Sequence, residues 1–279
     1  MRGTVYITVE RLAAELRWRK APRVLDVRWT LEEPDGYAAH VAGRIPRSVY
    51  VDLEGELSGT PSPGEGRHPL PDIGDLQGAA RRWGLNEDDA VVVYDDADGA
   101  AAARAWWVLK WAGVTDVRIL DGGFRTWAGH GTTVSGPPPK RARKDRGNIT
   151  LRPGHLPTIG AEEAAHFEGV LLDARAPERY RGEFEPRDPR AGHIPGAVSA
   201  PYTANLTPAG LMRPAEELAA KFSALGALDG PVAAYCGSGV TAAHHVAALA
   251  SLGVEASLYP GSWSQWSADP RRPAVVASA

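Results

Sequence analysis

Cysteine is nearly absent: the 279 residues hold one, Cys236. That excludes an internal disulfide, and it excludes a second thiol in the chain that could clear an oxidised or sulfur-loaded Cys236. Long apolar runs are missing, and no segment approaches the roughly 18 residues of a membrane span. Met1 to Glu10 lacks the apolar stretch of a secretory signal. With a lone thiol, the expectation is a cytoplasmic protein. Neither sign of charge is in large excess: 31 Lys and Arg face 34 Asp and Glu, a net charge of −3, which gives no ground for a nucleic-acid partner. Metal-ligand spacings are lacking too. No His-x-x-x-His or His-Glu-x-x-His occurs, and the adjacent His244 and His245 point about 100° apart on a helix. Asp95 to Gly99 fails as a calcium loop, because Tyr94 and Ala105 would fall at its end positions. No metal or cofactor is expected.

What is present fits a soluble globular protein: 43% hydrophobic and 23% charged residues, in a length that suits two domains. Thr8 reads as the cap of a first helix. Val24 to Arg28, Ser48 to Leu53, Ala90 to Tyr94 and Val117 to Leu120 read as strands. Leu76 to Trp83 and Ala100 to Ala112 read as helices. The order then returns. Leu171-Leu-Asp173-Ala-Arg175 echoes Val24-Leu-Asp26-Val-Arg28, His193-Ile-Pro echoes Arg44-Ile-Pro, Tyr235-Cys236 echoes Tyr94-Asp95, and the segment ending at Trp266 echoes the one ending at Trp127. Strands alternating with helices predict an α/β protein of two tandem domains. Each is a mainly parallel sheet covered by helices on both faces. The expected boundaries are 1–135 for the first domain, 136–157 for a connector and 158–279 for the second. The Pro- and Lys/Arg-rich run from Pro137 to Lys144 reads as extended chain.

The repeat differs at one decisive place. The second copy runs from an apolar strand, Val232 to Tyr235, into Cys236, then Gly237-Ser238-Gly239-Val240-Thr241 and a helix. Backbone N–H groups of such a loop converge, and the helix dipole adds positive potential, a setting that favours a thiolate with an anion beside it. The first copy carries Asp95 where the second has its thiol, so the first domain is expected to be a non-catalytic wall of the site.

The paired Asp-x-Arg strands, the Ile-Pro segments, Gly66-Arg-His-Pro-Leu-Pro71, Ala105-Trp-Trp107, Leu120-Asp-Gly-Gly123 and the Cys236 loop together resemble the two-domain rhodanese family of sulfurtransferases. Cys-Gly-Ser-Gly-Val-Thr is similar to the 3-mercaptopyruvate branch of that family. The thiosulfate branch carries basic residues after the cysteine, where a dianion gains from added positive charge. The resemblance implies that Cys236 takes sulfur from 3-mercaptopyruvate as a persulfide. A thiol, a thioredoxin-like protein or cyanide would then accept it. It implies that Gly237, Gly239, Val240 and Thr241 cradle the sulfur, with Ser238 and Thr241 as possible hydroxyl donors to it and Thr241 alternatively a helix cap. It also implies a proton relay of Ser238 with His68 and Glu54, and that Arg179 and Arg187 grip the substrate's carboxylate and keto oxygen, with Arg175, Arg181 and Arg190 as competitors. Asp26-x-Arg28 and Asp173-x-Arg175 read as structural ion pairs. The alternatives are a thiosulfate sulfurtransferase on the same scaffold and a non-catalytic sulfur carrier. A cysteine phosphatase is disfavoured because Cys-x5-Arg would need Arg at Ala242.

Overall fold

The protein is described from a computed structural model covering residues 2–138 and 146–276. The basic run from Lys140 to Lys144 lies outside the described residues. Among the described residues, nine strands form two sheets. β1 (Tyr6–Ile7), β2 (Arg23–Asp26), β3 (Val49–Tyr50), β4 (Val91–Tyr94) and β5 (Val117–Leu120) lie in the order β1-β5-β4-β2-β3. β6 (Val170–Asp173), β7 (Val198–Ser199), β8 (Val232–Tyr235) and β9 (Ser257–Leu258) lie in the order β7-β6-β8-β9. Every pairing is parallel. The central strands β4 and β8 are buried along their whole length, as a sheet covered on both faces requires. Among the described residues, no helix is long and apolar enough to cross a membrane.

Local chemistry sets the element ends. Thr8 caps the helix Val9–Glu15 by accepting from the Arg11 N–H. The strand expected over Ser48 to Leu53 is cut to two residues, because the Asp52 carboxylate accepts from the Glu54 N–H and starts a short helix, Leu53–Glu56. That helix carries Glu54 in its first turn. Arg28 and Arg175 close bidentate pairs on Asp26 and Asp173 at 2.6–3.1 Å, and all four residues are buried. Tyr94 also donates to Asp26 at 2.6 Å.

Part of the expected connector is not free chain. Gly147 and Ile149 donate to the carbonyls of Arg81 and Leu85, Arg152 and His155 to those of Ala112 and Trp111. Ile149 and Leu151 are buried. The segment is a strap along the first domain before it reaches the second sheet, where Ile159 donates to the Leu258 carbonyl.

The two domains meet through equivalent helices, Ala100–Trp111 and Val240–Leu252. Both are Ala-rich and buried through most of their length, so their backbones approach closely. Each follows the loop at the carboxyl end of its central strand. The contact therefore brings first-domain side chains to the Cys236 loop, at the strand ends where parallel sheets hold ligands.

Candidate active site

Cys236 follows β8 directly and is 2% exposed. Its N–H donates to Ser262 Oγ at 3.1 Å, and its carbonyl accepts from Trp263 N–H at 2.9 Å. The turn from Tyr259 to Ser264 thus fixes the nucleophile's backbone. Gly239 N–H points at Cys236 Sγ, 3.1 Å away. Gly239 adopts φ +79° and caps the helix; a Cβ there would also lie 2.6 Å from the Pro260 carbonyl oxygen. Thr241 sits inside the first turn, so the expectation of Thr241 as cap is corrected to Gly239. Of the cradle residues Gly237 to Thr241, Gly239 is the one whose N–H reaches the sulfur.

Ser238 does not turn to the thiol. Its Oγ lies 2.7 Å from His68 Nδ1, across the domain interface. His68 Nε2 is 3.6 Å from Glu54 Oε1, ion-pair range but longer than a hydrogen bond. Trp29 holds that same oxygen through its indole N–H at 3.3 Å and meets the His68 ring edge-on. Burial, with help from the nearby Arg104 charge, pulls the His68 pKa down to about 4, and Glu54 opposes this. The imidazole is neutral at pH 7. The three residues expected as a relay are therefore brought together, with Glu54 the loosest member.

Two arginines that sequence reasoning did not single out complete the site. Arg104, fully buried on the helix Ala100–Trp111, donates to the carbonyls of His68 (3.0 Å), Pro69 (3.1 Å), Leu57 (3.4 Å) and Gly239 (3.4 Å). It has no salt-bridge partner among the described residues. Burial lowers its pKa to about 10, still protonated at neutral pH, and Cys236 is the ionisable neighbour whose charge favours it. Arg67 projects over the loop from the other side. A Cβ on Gly237 would lie 2.9 Å from Arg67 Nη2 and 3.5 Å from Arg179 Nη1. Arg104 left one trace in the sequence: a charge in the middle of the otherwise apolar stretch from Ala100 to Leu109.

Arg179 sits beside Gly237 but is tied to Glu185 (2.7 Å) and Asp188 (3.2 Å). The Arg187 side chain is exposed, with one long contact of 3.5 Å to Glu32. It lines a cavity of about 410 Å³ together with His68, Arg67, Glu54 and Leu31. Cys236 is not among the residues that line it. The competing arginines are occupied: Arg175 by Asp173, Arg181 by Glu183, and Arg190 by four backbone carbonyls. His244 and His245 both meet the Asn205 amide and are buried and neutral, their pKa values lowered to about 3. No cluster of potential metal ligands occurs among the described residues.

The first domain repeats the loop without the thiol. There the Asp95 carboxylate accepts from the N–H groups of Ala97 (3.1 Å), Gly99 (3.0 Å) and Ala102 (2.9 Å). It fills its own cradle and leaves no place for a ligand. Burial raises its pKa to about 6 against those bonds.

A cysteine at the end of a central parallel strand, a glycine-turned N–H cradle and a degenerate twin domain define the rhodanese class. The chain belongs to the rhodanese family: residues 8–130 and 160–269 both match the rhodanese-like domain. It is a sulfurtransferase by its relatives. It is 47% identical to SseB of Mycobacterium tuberculosis, provisionally named a thiosulfate sulfurtransferase, over 98% of this chain and 97% of that one. A Pseudomonas aeruginosa protein provisionally named a 3-mercaptopyruvate sulfurtransferase is 43% identical over 99% of both. The solved structure of Escherichia coli SseA, a 3-mercaptopyruvate sulfurtransferase, superposes with a TM-score of 0.81 at 31% identity, covering 93% of this chain and 99% of that one.

Proposed function

We propose that the enzyme transfers sulfur from 3-mercaptopyruvate to a thiol or cyanide acceptor through a persulfide on Cys236. The observation that carries this reading is the 2.7 Å contact between Ser238 and His68. Transfer from mercaptopyruvate needs a proton moved, and this pair is placed to move it. The Cys236 thiolate attacks the donor sulfur and forms an S–S bond as the donor's C–S bond breaks. The electron pair stays on the departing carbon as an enolate. The donor's thiol proton passes by Ser238 and His68 to that carbon, giving pyruvate. An acceptor thiolate then attacks the outer sulfur and releases Cys236 as thiolate.

The chain's own groups have distinct tasks in this reading. Gly239 N–H and the buried Arg104 charge hold negative sulfur. Glu54, on the Nε2 side, favours the His68 tautomer with its proton there and leaves the Nδ1 lone pair for Ser238 O–H. Arg187, on the cavity wall, takes the substrate carboxylate, and Arg179 assists beside Gly237. Residues 1–135 serve as the non-catalytic partner and 158–279 as the catalytic domain. Turnover without a resolving cysteine suits a reducing compartment such as the cytoplasm.

The test is steady-state sulfur transfer to one acceptor from 3-mercaptopyruvate and from thiosulfate, with Cys236→Ser as the blank. The reading requires a clear mercaptopyruvate activity that the blank lacks. Equal activity in the blank, or none with mercaptopyruvate, overturns it.

A further inference from the structure

We propose that Arg67 sets donor specificity: from the first domain, its guanidinium supplies the positive charge that the loop after Cys236 lacks, and so admits a dianionic donor of the thiosulfate type. The inference rests on the persulfide chemistry above and concerns which sulfur donor the same site accepts.

The placement of Arg67 is built rather than incidental. Gly66, at φ +89°, packs so tightly on the second domain that a Cβ would lie 2.7 Å from the Gly261 carbonyl oxygen and 2.8 Å from Ser264 Oγ. Arg67 N–H donates to Ser264 Oγ at 3.1 Å. Ser264 N–H donates in turn to the Gly237 carbonyl at 2.9 Å. One serine therefore positions both the arginine backbone and the residue after the nucleophile. The guanidinium reaches the face of Gly237 where a Cβ would stand, beside that of Arg179.

The fork is half used. Asp188 takes Nη1, while Nε is buried without a hydrogen-bond partner. Asp188 is shared with Arg179, which is also held by Glu185. These carboxylates orient the two guanidinium groups, and Arg67 still lines the cavity beside His68 and Arg187. An anion there meets Arg67 and Arg187, with no basic residue needed in the loop Gly237 to Thr241. A donor with two negative charges gains more from each of these cations than a monoanionic keto acid does. For such a donor the step balances without a proton relay: the Cys236 thiolate bonds to the outer sulfur, the donor's S–S bond breaks, and sulfite leaves with the electron pair.

The experiment is kcat/KM for thiosulfate and for 3-mercaptopyruvate with a common thiol acceptor, in wild type, Arg67→Gln, Arg67→Lys and Gly237→Ala. Arg67→Gln is expected to lower the thiosulfate-to-mercaptopyruvate ratio by about thirty-fold, the loss of one charge-assisted hydrogen bond. Arg67→Lys, which keeps the charge, restores much of the ratio. Gly237→Ala, which keeps Arg67 but pushes its guanidinium aside, lowers the ratio in the same direction and stands in if Arg67→Gln fails to fold. A ratio unchanged in Arg67→Gln and Gly237→Ala, whether both activities fall or neither does, overturns the proposal. So does a wild type that turns over mercaptopyruvate alone, which leaves the proposed function standing. A wild type that uses thiosulfate alone overturns the mercaptopyruvate reading, and the Arg67→Gln loss on thiosulfate then decides for or against Arg67.

Discussion

Ser238 Oγ and His68 Nδ1 lie 2.7 Å apart although 170 residues separate them. Neither domain alone holds this pair. It exists because Arg104 pins the His68 and Pro69 carbonyls on one side and the Gly239 carbonyl on the other. Ser238→Ala and His68→Gln are therefore expected to lower mercaptopyruvate kcat by about a hundred-fold, the usual scale of one acid–base group. Thiosulfate turnover falls far less, because sulfite departs without a proton. Equal losses with both donors would assign the pair a structural role.

The pH dependence follows from the lowered His68 pKa. Neutral imidazole is the working form, and with a pKa of about 4 rather than 6.5 it persists through the whole neutral range. The ratio of wild-type to His68→Gln activity with mercaptopyruvate is expected to stay level from about pH 8 to about pH 5.5, then fall as the Nδ1 lone pair is lost to protonation. A ratio that collapses near pH 6.5 would show an ordinary, solvated histidine.

Asp95 is a plug rather than a catalytic relic. Asp95→Ala leaves three backbone N–H groups without their acceptor. The expected cost is about 3 kcal/mol of stability in urea unfolding at pH 7, with kcat for sulfur transfer unchanged. Wild-type stability in this variant would contradict the plugged cradle.

Arg104→Met removes the buried cation behind the Cys236 loop and strands four carbonyls. The expectation is a loss of about 3 kcal/mol in stability and a several-fold slower alkylation of Cys236 at pH 7, with Arg104→Lys between the two. Alkylation at the wild-type rate would separate the arginine from thiolate stabilisation.

Much of the fold was legible because local signals agreed. The apolar runs of β4 and β8, the Asp-x-Arg pairs and the glycine loop each carry their own pattern, and the repeat places them twice. Cys236 stood out by its strand, glycine loop and helix, whereas Ser238 and His68 were reached only through the family resemblance. The missing parts are those that only the domain contact decides. Arg67 and Arg104 act on a loop far away in the chain, and no periodicity marks them as site residues. Arg179 and Arg187 look alike in sequence, yet one is held by two carboxylates and the other lines the cavity. The strap through Ile149 and Leu151 was hidden because its ties run from its own backbone to groups distant in the chain, which local composition does not encode.

The central claim is that Cys236 itself carries the sulfur. The most direct measurement is the intact mass of the protein after exposure to 3-mercaptopyruvate without acceptor. The account predicts a gain of one sulfur atom per chain that a thiol acceptor or cyanide removes, and no gain in Cys236→Ser. An unchanged mass in wild type while pyruvate accumulates, or the same gain in Cys236→Ser, would contradict it.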